Sequence, residues 1–366
     1  MRKPRILITG ASGRNASAAV LDLLKRGFPV RALVRRQDKR SEALRAAGAE
    51  IVVGDLFDYR DLERALVDVQ RAYHSAPYAP NLLHGMMLFA IAAEQAKLEV
   101  VAWMSQWNPH PAHPSAFTRE HWIANQVVRW MPSVDAIHVN PGLFAYVYFL
   151  GLPAIVHFGM FMAPFGEGLN APPSNEDMAR VVAEILARPE GHAGKTYRPT
   201  GPQLLSPQDI AAILGKVLGR KVTYRHAPMR MLSKIMRDRL SLYALAAYSQ
   251  YVIDYQKNAF AVNAPTDVVR RITGREAEDF ETIARRYVSN TPGARRSFAT
   301  QFKLMLELII SMLRPAPRTA PYLALGEFSD RKHVALSADS PEWRQSHEQQ
   351  ASEPSGEKTE FWHAKS

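Results

Sequence analysis

With 366 residues the chain exceeds the ~100–200 residues of one ordinary domain, so a large α/β domain with a smaller appendage is expected. Its 47% hydrophobic content supplies a core, yet no apolar run approaches the ~20 residues that cross a bilayer, and no transmembrane segment is expected. Zero cysteines exclude disulfides, thiolate catalysis and cysteine-ligated zinc and suit a cytoplasmic setting, while a net charge of +11 asks for an anionic partner.

The opening MRKPRILITG places basic residues before an apolar run too short for a secretory signal, and that run leads straight into a glycine turn, so RILIT is the first strand. A helix from Asn15 to Arg26 follows, then the strand VRALV, a helix from Ser41 to Ala47 and the strand EIVVGD. The alternation continues with a helix at Leu62 to Val67, the strand RAYHSA, a helix from Asn81 to Ala96, the strand EVVAWMS, a helix from Phe117 to Trp130 and the strand DAIHVN. Strand and helix in strict turn predict a Rossmann-like, doubly wound parallel sheet over residues 1–150.

Past Pro141 and Gly142 the rhythm breaks. FAYVYFLGLPAIVHFGMFMAPFGEG forms either a loop-rich wall over a pocket or an apolar helix and turn packed on the sheet. SNEDMARVVAEILARPEG reads as a helix capped by Ser174, with Asp177 at the third position; the strand KTYRP, a helix from Ser206 to Leu218 and the strand KVTYR come next. A helical region from Met229 to Tyr255 and two short helices ending near Val288 complete a smaller α+β subdomain, residues 151–292. Residues 293–320 are an amphipathic helical extension. In it Phe298, Phe302, Met305, Ile309 and Met312 recur at helical spacing among Arg295, Arg296, Lys303, Arg314 and Arg318. This helix, residues 297–313, packs on its own domain or on a second copy, binds a protein partner, or lies on a membrane surface. From Pro321 to the end, eight acids accompany five bases in a polar stretch expected to be disordered or loosely attached.

Residues 1–45 hold twelve Lys and Arg against Asp22, Asp38 and Glu42, so the basic excess surrounds the glycine turn. No zinc-finger spacing, long basic helix or aromatic RNA-binding signature accompanies it, and direct nucleic-acid contact is not expected. Gly10, Gly13 and Ala16 form G-x-x-G-x-x-A between a strand and a helix. The first glycine permits the tight turn, the second lets the backbone approach a pyrophosphate, and the alanine keeps helix and sheet close. Helix amides and the helix dipole then favour the phosphates. Where an NAD site places an acid for the ribose, the second strand ends in Arg35 and Arg36, whose guanidinium groups suit a 2′-phosphate; NADP(H) is the expected cofactor. Asp55, with Leu56, stands where the adenine ring would lie, and Ser75, Ala76 and Pro77 along the middle of the cofactor, since ligands sit at the carboxyl ends of the strands.

TGASGRNASAAV, VRALVRR, VVGDLFD, VVAWMS, NPGLF and NEDMARVVAEILARPEGHAGKTYRPTGPQLLSPQDIAAIL together resemble the NmrA-like branch of the atypical short-chain dehydrogenase/reductase superfamily, over residues 5 to about 290. The resemblance implies an NAD(P)-binding Rossmann fold and adds Thr9, Ser12, Arg14 and Asn15 to the cofactor-binding residues. It also brings a departure. The superfamily's proton-transfer pair is Tyr-x-x-x-Lys, but the matching FTREH has Phe117 for the tyrosine and His121 for the lysine. Phenylalanine has no proton to give, so alcohol dehydrogenation by that route is not expected.

His121 is a candidate to bind the nicotinamide ribose or to donate a proton, given an unperturbed pKa near ~6.5. Ser105, in the place of the superfamily's serine, is a candidate to orient a substrate carbonyl. Trp103, Trp107, Trp122, Tyr78, Phe144 and Tyr146 offer an aromatic wall for a planar substrate. His110, His113 and His121 do not suggest a metal, because the proline-rich loop around the first two contains no acid; there is also no G-x-S-x-G elbow. Two functions follow: an NADPH-dependent oxidoreductase passing hydride to a quinone-like or conjugated small molecule, or a catalytically silent NADP(H)-binding redox sensor acting through a protein partner.

Overall fold

The computed structural model describes residues 3–291, 293–294, 297–324 and 336–352. The first half alternates as expected: β1 (Ile6–Ile8), α1 (Arg14–Lys25), β2 (Val30–Val34), α2 (Lys39–Ala46), β3 (Glu50–Val53), α3 (Tyr59–Leu66), β4 (Arg71–His74), α4 (Leu82–Gln95), β5 (Val100–Met104), α5 (Ala116–Arg129) and β6 (Asp135–Val139). The second half contains α6 (Leu152–Phe158), β7 (Met160–Ala163), α7 (Asn175–Ala187), β8 (Thr196–Tyr197), α8 (Pro207–Leu218), β9 (Thr223–His226), α9 (Met229–Met236) and α10 (Leu242–Gln256). It closes with α11 (Val268–Thr273), α12 (Phe280–Asn290), α13 (Phe298–Leu313), α14 (Ala320–Ala324) and α15 (Pro341–Ser352).

Seven parallel strands form the main sheet in the order β3-β2-β1-β4-β5-β6-β8. Every residue of β1, β2 and β5 is buried, the signature of strands covered on both faces. One face carries α1, α7 and α11 over Ile6, Ile8, Ala32 and Val139; the other carries α3, α4 and α5 over Leu7, Leu33 and Trp103. Each fully buried large side chain contributes roughly 1.5–3 kcal/mol of hydrophobic stabilisation. The strand order reverses between β1 and β4, and this switch point opens the crevice in which sheets of this kind bind ligands.

Local caps fix the helix starts. Ser174 accepts the Asp177 amide at 2.9 Å as its sequence predicts, Ser206 and Asp209 form a reciprocal capping box, and Asp38 and Ser41 do the same for α2. The Asp58 carboxylate starts α3 three residues before the expected Leu62.

Four features differ from the sequence reading. The segment 144–170 is mostly regular, with a 3-10 helix at Ala145–Phe149, then α6 and β7, and β7 pairs in parallel with β9; the apolar-helix alternative describes it, not the loop-rich wall. The helical region 229–255 divides into α9 and α10, with Ser241 capping the second through the Ala244 amide. Residues 175–197, grouped with the smaller subdomain, complete the larger one: α7 packs on α1 and β8 extends the main sheet. Finally, residues 336–348 of the polar tail are packed. Ala338 and Trp343 belong to the second core with Trp107, Tyr148, Phe161 and Phe280, because their apolar surfaces find a hollow beside the loop after β5.

Candidate active site

The glycine turn has the expected backbone. Gly10 sits at φ +58°, which favours glycine, and the Gly13 amide donates to the Gly10 carbonyl at 2.8 Å. A Cβ at Gly13 would lie 3.0 Å from that carbonyl. No side chain caps α1 and its first turn holds no acid, so the amides face the crevice. Asn15, on the same turn, keeps a buried Oδ1 without a hydrogen-bond partner among the described residues. Arg14 lies over the Tyr146 ring at 5.2 Å, which joins the turn to the second half of the chain. These features fit an anionic pyrophosphate.

At the end of β2, Arg35 and Arg36 are exposed and have no ion pair or hydrogen bond among the described residues. Arg40 differs: it pairs with Asp38 at 2.7 Å and reaches the Ser12 carbonyl at 3.4 Å. Its charge is compensated, whereas the charges of Arg35 and Arg36 remain available to a phosphate.

Thr9 and Ser75 lace the ends of β1 and β4 together. The Thr9 hydroxyl accepts the Ser75 amide at 3.0 Å and lies 3.3 Å from Nδ1 of His74, which stacks on Phe89 at 4.1 Å. Ala76 is half-buried and Pro77 exposed beyond them. Asp55 is exposed; its Oδ1 accepts the Phe57 amide at 3.0 Å in an Asx turn that also shapes the backbone around Leu56. Its side chain is thus partly engaged by its own turn.

Ser105 is buried at the end of β5, where its hydroxyl accepts from Asn125 Nδ2 at 2.8 Å. Near it the side-chain polar atoms of Gln106, the Asn140 Oδ1, the Trp103 Nε1 and the His74 Nε2 are buried without partners among the described residues. Such atoms each cost stability unless a ligand or water meets them, and here they collect at the carboxyl ends of neighbouring strands.

Phe117 is buried with Tyr78 stacked on it at 4.5 Å, and His121 and Tyr243 meet it edge-on at 4.8 and 6.3 Å. Burial pushes the His121 pKa down to about 3, and its Nδ1 has no partner among the described residues. Of the two roles expected for His121, a ring left uncharged at neutral pH suits hydrogen bonding better than proton donation as an imidazolium. Beside it, burial raises the Glu120 carboxyl to about 7, with the Tyr243 hydroxyl donating to it at 3.4 Å. A narrow, nearly filled crease of about 10 Å³ between α5, α10 and α14 is lined by Pro114, Ser115, Phe117, Tyr243, Ala247 and Tyr322.

The aromatic wall is only partly as expected. Trp103 and Trp107 are fully buried core residues, the latter donating Nε1 to the Ala259 carbonyl at 2.8 Å. Tyr78 and Tyr146 stay near the crevice, and Phe144 rests on Tyr146 at 5.9 Å. The three histidines of the loop and helix separate. His110 lies 3.1 Å from Ser340, and His113 accepts the Ser115 amide on Nδ1 while Nε2 donates to buried Asp254 at 2.7 Å. Sequence reading missed Arg40, His74, Gln106, Glu120 and Tyr243. The first four adjoin residues it did single out, whereas Tyr243 lies 126 residues beyond Phe117 and carries no local signal.

The NmrA-like family profile matches residues 2–280, and the chain belongs to that family. An NAD(P)H azoreductase of Xenophilus azovorans is 30% identical over 291 residues, covering 78% of this chain and 98% of the relative. Among solved structures, the Citrobacter sp. triphenylmethane reductase complexed with NADP(H) matches with a TM-score of 0.67 at 20% identity, covering 77% of this chain and 99% of that one. NmrA, a negative transcriptional regulator solved in complex with NADP, matches with a TM-score of 0.64 at 18% identity over 78% of this chain and 95% of its own. These two structural likenesses bear on the fold.

Proposed function

We propose that this NmrA-like protein is an NADPH-dependent reductase whose acceptor is a quinone-like or otherwise conjugated small molecule, azo compounds included. The identity to the azoreductase supports reduction, and one observation carries the acceptor class: a buried phenylalanine replaces the tyrosine acid, beside a histidine held neutral.

Bound NADPH supplies the hydride. The Gly10–Gly13 turn and the α1 amides hold the pyrophosphate, Arg35 and Arg36 hold the 2′-phosphate, and Asp55 with Leu56 borders the adenine. Thr9, Ser12, Arg14, Asn15, Ser75, Ala76 and Pro77 line the remaining length. His121 offers the ribose a neutral hydrogen-bonding nitrogen. Ser105, already held by Asn125, presents a fixed hydroxyl towards an acceptor oxygen or nitrogen. Tyr78, Phe117 and Tyr243 form a platform on which a flat ring stacks and from which water is partly excluded. No side chain has to deliver a proton in the same step, because a quinone or azo group accepts hydride into a delocalised anion that solvent then protonates. An isolated ketone would form a localised alkoxide and needs the missing tyrosine.

Rapid mixing of NADPH-loaded protein with quinones, azo dyes, enones and simple ketones tests this through loss of nicotinamide absorbance. Oxidation by the conjugated acceptors, with simple ketones inert, is expected. A flat trace across the panel with tight NADPH binding intact would overturn turnover and leave the redox-sensor reading, which the absent tyrosine hydroxyl also allows.

A further inference from the structure

The two sides of α13 meet different surroundings. Thr300, Leu304, Leu308, Ser311 and Met312 fall on one side at 3.6 residues per turn and are half-buried. That side rests on α6 and α9. It is fastened by Lys234 Nζ donating to the Met312 carbonyl at 2.7 Å, by Arg237 donating to the Pro315 carbonyl at 3.2 Å and by an Arg314–Asp238 ion pair at 2.7 Å. The opposite arc carries Phe298, Phe302, Met305, Leu306, Ile309 and Leu313, and it is bare: Phe298 is 92% exposed, Leu313 81% and Phe302 65%. A helix that only braced its own domain would turn its bulkiest apolar residues inward.

Cations gather on and around the helix. Lys303 on it and Arg318 after it are exposed, as are Arg230 on the adjoining α9 and Arg239 just after it, while Lys234, Arg237 and Arg314 are the three that fasten the helix. Against these seven, residues 229–241 and 297–319 contain two acids, Asp238 and Glu307.

We propose that α13 seats its exposed face in the interfacial layer of a membrane rich in anionic lipid. Its apolar arc enters the acyl boundary while the surrounding Lys and Arg meet the headgroups, the usual division of labour in a helix lying in the plane of a bilayer. The helix does not cross: its 16 residues extend about 24 Å, and no helix among the described residues is long and apolar enough to span a membrane. A second copy of the chain is a poorer occupant, because pairing two such faces brings two cationic rims together. The seating stands apart from the reductase reading and holds whether or not the protein turns over.

Co-sedimentation of the full chain with phosphatidylcholine vesicles containing ~30% phosphatidylglycerol, and with pure phosphatidylcholine vesicles, tests it. Wild type is expected to pellet with the anionic vesicles and to release in high salt. Two variants, Phe302→Asp with Ile309→Asp, and Lys303→Glu with Arg318→Glu, should each bind at least ~10-fold more weakly, since one removes apolar insertion and the other headgroup attraction. All four positions are exposed; circular dichroism and NADPH affinity confirm that the variants fold. Wild type that stays in solution, or variants that bind as well as wild type, would overturn the proposal. So would a concentration-dependent dimer in size exclusion that Phe302→Asp dissociates while vesicles are ignored, which would assign the face to a second copy.

Discussion

Replacing Arg35 and Arg36 together by serine separates the two nicotinamide cofactors. Both guanidinium groups are exposed and unpaired among the described residues, so removing them breaks no contact of the fold and folding stability should hold. Their loss falls on the ligand. A hydrogen bond to a charged group is worth about 1.5–3 kcal/mol, and solvent exposure favours the lower end; two such contacts amount to about 3 kcal/mol, or roughly 100-fold in NADPH affinity. NADH, without the 2′-phosphate, should change by no more than about 2-fold on the same reasoning. Arg40→Ser supplies the internal comparison. That charge is spent on Asp38 at 2.7 Å, so its removal should cost NADPH far less than the double substitution. Fluorescence titration of each protein with both cofactors measures all six affinities. Wild-type protein that binds NADH as tightly as NADPH, or a double variant that loses both equally, would refute the assignment of Arg35 and Arg36.

Acid should destabilise the protein through its buried histidines. Burial pushes His74, His121, His138 and His347 down to about 3, so they stay neutral in the native state while the unfolded chain takes up their protons near ~6.5. The unfolded state then binds more protons between those values, and stability falls as pH drops through that window by roughly 1.4 kcal/mol per pH unit for each group, with no such slope above pH ~7. Urea midpoints at pH 7.5 and 5.5 that coincide would contradict this. At the second core, Asp254→Ala removes the carboxylate that receives His113 at 2.7 Å and Asn108 at 2.5 Å, and with it two charge-assisted hydrogen bonds inside the core. A loss of about 3–5 kcal/mol in urea unfolding is expected, and a loss below about 1 would show the cluster to be dispensable.

The sheet and its glycine turn could be read from the sequence because their signals are local: strand runs buried on both faces, caps three residues from their partners, and a glycine whose positive φ the turn demands. The cofactor contacts were read as positions along strand ends, and Arg35 and Arg36 stand free where the sequence placed them. What escaped depends on distant partners. The His121 pKa is set by what covers the ring, and FTREH alone says nothing of that cover. Trp103 and Trp107 looked like pocket walls, and only the neighbours supplied by Phe89 and Ala259 show them to be core. The segment 144–170 hides a strand because β7 pairs with β9, some sixty residues later. Likewise the composition of the tail from Pro321 is polar, yet Ala338 and Trp343 suffice to dock part of it once a hollow exists to receive them.

That docking orders events in time. The loop after β5 is made early, but its covering arrives much later: the Trp107 carbonyl meets Nε2 of His347 at 2.9 Å, and the Asn108 carbonyl accepts the Ser337 hydroxyl at 2.9 Å. These contacts span 240 and 229 residues of chain. During synthesis the Rossmann strands β1 to β6 can pair while the segment that covers this loop is still untranslated. The loop running from Ser105 to the start of α5 therefore reaches its final packing only after residues 337–347 have emerged, so a product truncated before them could pair its Rossmann strands yet would leave this loop uncovered.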